Sequence, residues 1–141
     1  MKRLFIILAL LGGGMLSAQS LSKEMTIALK NNDNLALAAL VDDSNKNTCF
    51  SMGQHQASLI QLAVQMNERD IVSYLLNEQK VEPDTSCGNA TALILAAKSG
   101  QTEIVKLLVK AGADISASYE GQTAADVALK NGHQEVLPLL K

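Results

Sequence analysis

Apolar residues in the second half of the chain fall at helical spacing, and the pattern then repeats. Leu93, Ala96 and Ala97 lie at i, i+3 and i+4, as do Ile104, Leu107 and Leu108, so each trio marks one face of a short helix. The run Thr91 to Gly100 recurs as Thr123 to Gly132, and the same spacing carries Glu103 to Glu135, Ile104 to Val136, Leu107 to Leu139 and Leu108 to Leu140. One step earlier Ser58 stands in the place of Thr91, followed by Leu62-Ala63-Val64 and then by Ile71-Val72 and Leu75-Leu76. A fainter copy precedes it, with Ala28, Asn32, Leu37, Leu40 and Val41 where Ala96, Gly100, Val105, Leu108 and Val109 sit. The chain therefore divides into about four units, near 21–48, 49–86, 87–118 and 119–141, the first degenerate and the last short.

Each unit predicts two short helices with a sharp stop after each. Gly100 ends the first helix of the third unit and Gly112 the second, since a left-handed residue costs glycine little. Asn67 takes the first of these places in the second unit, asparagine being the next most tolerant residue there. Thr123 with Asp126, and Ser58 with Gln61, have the spacing of capping boxes and mark helix starts. Polar, turn-rich stretches at 42–56, 82–90 and 116–122 separate the helix pairs. With 48% hydrophobic and 18% charged residues the chain is of folded, not disordered, composition. Only two Phe and two Tyr occur, without Trp, so Leu, Ile, Val and Ala must build a core of thin, closely packed helices.

Two short helices and a turn-rich finger per unit resemble the ankyrin repeat. The third unit carries the likeness best, in Asn89-Ala90-Thr91-Ala92-Leu93, Leu95-Ala96-Ala97, Gly100, Glu103 to Leu108 and Ala111-Gly112-Ala113-Asp114; the fourth adds Gly121-Gln122-Thr123, Gly132-His133 and Glu135-Val136. The resemblance spans about Leu21 to Lys141 and implies an all-α solenoid of about four helix–turn–helix units with turn-rich fingers. Its preferred Thr-Pro-Leu-His opening reads here as Thr91-Ala92-Leu93-Ile94, Thr123-Ala124-Ala125-Asp126 and Ser58-Leu59-Ile60-Gln61. The histidine that ties one turn to the next is missing, which implies a less regular and less stable stack. Pro138 is expected within the first turn of the last helix. The first unit is expected to cap the stack, its outer face relieved by Ser22, Lys23, Asn31 and Asn34.

The first eighteen residues stand apart from the repeats. Lys2 and Arg3, the apolar run Leu4 to Leu11, Gly12-Gly13-Gly14 and the small residues Ser17 and Ala18 follow the plan of a secretory signal peptide, cleaved after Ala18. The alternative is an uncleaved anchor, although the apolar stretch is shorter than the ~20 residues a spanning helix needs. Residues 19–141 then form the mature domain, periplasmic or secreted. Cleavage leaves ten basic and fourteen acidic residues, a net charge of −4, with no basic patch to attract nucleic acid. No membrane association is expected after cleavage, and the chain is expected to be a monomer.

Chemistry is sparse. His133 follows Gly132 where the repeat often carries histidine, a structural place. Cys49, Met52 and His55 lie close in sequence, but their spacing matches no zinc pattern. No nucleophile elbow or paired catalytic acids occur, so neither an enzyme nor a resident cofactor is expected. Cys49 and Cys87 lie in the fingers before consecutive units. Adjacent fingers of an ankyrin stack lie side by side, so the resemblance together with export implies a disulfide; two free thiols are the alternative.

The resemblance further implies that a partner protein is held along the finger tips and the inner faces of the first helices. Carried over residue by residue, that surface comprises Tyr119, Glu120 and Gln122 of the fourth unit, Lys98 and Ser99 of the third, and Phe50, Met52 and His55 of the second. The function expected is that of an adaptor, holder or inhibitor in the cell envelope. The alternative is a carrier of heme or metal serving another envelope enzyme, with His55, Met52 or Met66 as ligands.

Overall fold

A computed structural model describes residues 20–141. The proposed signal peptide lies outside the described residues. The order of elements is α1 (Lys23–Lys30), α2 (Asn34–Leu40), β1 (Phe50–Met52), β2 (His55–Ala57), α3 (Leu59–Gln65), α4 (Arg69–Asn77), α5 (Ala92–Lys98), α6 (Thr102–Lys110), β3 (Ser118–Tyr119), β4 (Gln122–Thr123), α7 (Ala124–Lys130) and a 3₁₀ helix (Gln134–Leu140). Helices pair within each unit and stack between units: α3 on α5 on α7 as an inner layer, α2 on α4 on α6 on the 3₁₀ helix as an outer one. This is the all-α solenoid of helix–turn–helix units that the repeat implies, with two short hairpins in its fingers.

Local chemistry sets the helix ends. Ser22, Asp33, Ser58, Thr91 and Thr123 each cap a helix by accepting an N–H two or three residues inside it. Both expected capping boxes are complete, with the Gln61 and Asp126 side chains returning to the backbone N–H of Ser58 and Thr123. Every inner helix closes in the same way. Asn32, Asn67, Gly100 and Gly132 have φ of 53°, 56°, 66° and 79°. The next N–H in each case, from Asp33, Glu68, Gln101 and His133, returns to the carbonyl five residues back, at 2.9, 3.0, 3.0 and 2.8 Å. These are Schellman closures, and they satisfy carbonyls that the helix end leaves free.

One continuous core runs through the stack. Leu29, Leu37, Leu59, Ile71, Leu75, Leu93, Ile104, Leu108 and Val136 are fully covered, and Ala92, Ala96, Ala97 and Ala128 let the inner helices approach closely. No unit could cover these side chains alone, and stacking supplies the missing neighbour.

Two expectations are corrected, and in the second unit the place of the missing turn histidine is filled. There Gln61, 1% exposed, donates from Nε2 to the carbonyls of Ser86 (2.7 Å) and Ala90 (2.8 Å), while its Oε1 accepts from the N–H of Ser58 (2.8 Å). A carboxamide both donates and accepts, so it ties the next finger and completes the cap together. Pro138 sits at the fifth residue of the last helix, not in its first turn. In an α-helix a proline there deletes a bond and collides with the carbonyl four residues back, and this segment winds as 3₁₀ instead. The first unit is also less polar outside than a cap should be, leaving Leu35 86% and Ile27 57% exposed. Leu35 holds the place that the third unit gives to Glu103.

Candidate functional site

The fingers and the inner helices enclose a row of recesses, and each finger is positioned by its own turn. In the first, β1 and β2 pair antiparallel with Phe50 opposite Ala57 and Met52 opposite His55. Side chains alternate along a strand, so these two pairs share one face of the hairpin. The inner pair is buried, with Phe50 only 2% exposed, and the outer pair overhangs the inner helices. Phe50 is therefore an anchor of the hairpin and not a partner contact, which corrects that expectation.

The second finger turns through Cys87 and Gly88, at φ 52° and 72°, and closes with the N–H of Asn89 on the carbonyl of Ser86 at 2.9 Å. The third turns through Glu120 and Gly121, at φ 51° and 75°, between paired Tyr119 and Gln122. Two successive left-handed residues form the tight hairpin turn whose twist matches the strands. A disulfide joins Cys49 to Cys87, with Cα atoms 5.5 Å apart, and so holds the first finger to the second.

Three recesses follow one another along this face. The first, about 400 Å³, lies between Met52 and His55 on one side and Leu62, Gln65 and Asn89 on the other. The second, about 370 Å³, is walled by Gln54, His55, Gln56, Cys87, Gly88, Asn89 and Tyr119. The third, about 140 Å³, lies between Asn89, Tyr119, Glu120 and Gln122 above and Ile94, Leu95, Lys98 and Val127 below. Asn89 borders all three, His55 the first two and Tyr119 the last two, so they form one groove.

The groove brings together Met52, His55, Lys98, Tyr119, Glu120 and Gln122 of the expected partner-binding residues. Ser99 is exposed at the end of α5 but borders none of the recesses. Asn89, Gln54, Gln56, Leu95 and Val127 were not singled out by the sequence pattern. Their position on the groove depends on how one finger overlies the helix of the neighbouring unit. The walls are mostly uncharged amides over an apolar floor of Leu62, Leu95 and Val127, a lining suited to backbone hydrogen bonds and an apolar side chain.

Carboxylates with displaced titration lie at helix starts and loop turns. The N–H and hydroxyl of Thr123 hold Asp126 below the usual carboxylate range, and the hydroxyls of Ser116 and Ser44 do the same for Asp114 and Asp42. The ion pair with Lys106 lowers Glu103. No three His, Cys, Asp or Glu side chains converge as metal ligands among the described residues, and the disulfide occupies Cys49.

No curated protein matches the chain significantly. The family model for ankyrin repeats, described as three copies, matches residues 15–118 and again residues 60–141. That match takes in all four of the stacked helix pairs and the fingers between them, and the chain belongs to the ankyrin-repeat family.

Proposed function

We propose that the chain is a protein-binding module of the cell envelope that holds a partner in the finger groove, as adaptor, holder or inhibitor. Ankyrin repeats generally mediate protein–protein interaction, and they are typically binding modules without catalytic activity. The observation that carries the reading is Tyr119, 36% exposed at a finger tip and bordering two recesses of the groove. An aromatic presented in this way over a concave, partly apolar surface is typical of binding hot spots. The partner-binding set is then Tyr119, Glu120, Gln122, Lys98, Met52 and His55, with Asn89 at its centre. Export after cleavage at Ala18, to the periplasm or beyond, is part of the proposal, and the Cys49–Cys87 disulfide is compatible with such an oxidising compartment.

The test is cross-linked capture with the tagged, exported chain beside a variant carrying Tyr119→Ala and Glu120→Ala. One protein recovered by the parent and lost by the variant supports the groove; identical captures refute it. A second reading, a carrier of heme or a soft metal ion, rests on Met52 facing His55 across the first hairpin. Metal and heme analysis of the purified protein decides it, since a carrier should retain one or the other.

A further inference from the structure

The last residue of every inner helix occupies the same place in its unit, two positions before the left-handed stop. These residues are Lys30, Gln65, Lys98 and Lys130. Gln65 and Lys98 border the groove, and the repeat extends their row to Lys30 and Lys130 at its two ends. All four are exposed, and among the described residues none of the three lysines joins an ion pair.

Favourable interaction with a helix C-terminus does not explain the row by itself, because the outer helices have the same dipole. Of those, only α6 carries a basic residue in its last turn; α2, α4 and the 3₁₀ helix carry none. The row thus sets three of the nine described lysines on the inner side of a chain whose formal net charge is negative. Among residues bordering the recesses, Glu120 is the only carboxylate facing them.

We propose that the partner offers the groove an acidic, extended protein segment, its carboxylates meeting Lys98 and Lys130, or Lys98 and Lys30, while an apolar side chain enters the recess over Leu95 and Val127. This rests on the groove being the binding surface and names the chemistry it selects. The amide walls pair with the segment's backbone, and the lysine row sets its charge. Complementary charge at the edge of an apolar site mainly directs encounter and excludes wrong partners, and it weakens with salt.

The experiment is selection of short random displayed peptides on the immobilised full chain, beside Tyr119→Ala and the triple variant Lys30→Glu, Lys98→Glu, Lys130→Glu, each first shown to melt like the parent. Lys98→Gln serves as a milder second variant. Peptides selected by the parent should be enriched in Asp and Glu, and a synthetic representative should bind the triple variant about tenfold or more weakly, with the loss shrinking at high salt. Peptides selected without acidic bias, yet lost on Tyr119→Ala, would overturn the acidic partner and leave the groove standing. No selection by the parent, or selection indifferent to Tyr119→Ala, would overturn the groove reading as well. Row-dependent binding to phosphatidylglycerol vesicles without acidic-peptide selection would assign the lysines to a lipid surface and overturn the proposal.

Discussion

Replacing Gln61 with leucine tests what holds the second finger to the stack. The side chain is 1% exposed and makes bonds to Ser58, Ser86 and Ala90, on segments 25 and 29 residues away for the last two. Leucine keeps the volume but leaves the Ser58 N–H and the Ala90 carbonyl without partners in a dry site. Ser86 is half-exposed and can turn to water. Leaving a buried donor or acceptor unpaired costs about 1–3 kcal/mol, so two such groups give a loss of about 2–6 kcal/mol. For a domain of this size that lowers Tm by about 8–24 °C. Urea denaturation followed by far-UV circular dichroism measures the change in midpoint at constant slope. Gln61→His should recover about half of the loss, because imidazole accepts on one nitrogen but donates from only one other. If Gln61→Leu unfolds within about 0.5 kcal/mol of the parent, the tie carries no weight and Gln61 does not stand in for the missing histidine.

Other outcomes follow from the same geometry. Cys49→Ala with Cys87→Ala opens a loop with a separation of 38 residues and should cost about 4 kcal/mol by chain entropy, read as a thermal shift of about 15 °C that a reductant reproduces in the parent. Gly100→Ala should be worse than Gly132→Ala. Both require a left-handed alanine, at about 1–2 kcal/mol, but only at Gly100 would the new Cβ collide with the His133 ring, 2.7 Å from Cε1. Equal losses at the two glycines would remove the role assigned to that contact. Asp42, Glu103, Asp114 and Asp126 all titrate below their ordinary values in the folded chain, so their contribution is present above about pH 4.5 and is lost as acid takes the pH below 3.8. Melting temperature should therefore hold from neutrality to mildly acidic pH and then fall, and Asp126→Asn should flatten the acid limb.

The helices, their caps and their stops were legible in the chain because each depends on groups within about five residues. Ser58 with Gln61, Thr123 with Asp126, and the left-handed Asn67, Gly100 and Gly112 follow from side-chain chemistry and backbone sterics, whatever the stack does around them. The repeat spacing extended this to the family, since apolar faces recurring at one period have to cover one another. Tertiary structure decided the rest. Phe50 and Met52 are alike in a sequence pattern, but their places along one hairpin bury the first against the stack and present the second beside the turn. Gln61 reads as half of a capping box, and only the fold shows its amide reaching the next finger. Asn89 belongs to three recesses because neighbouring units bring their fingers and helices together around it. Caps and stops are properties of a short stretch of chain, whereas burial and the groove arise from how one unit is set against the next, a relation fixed only when the core closes.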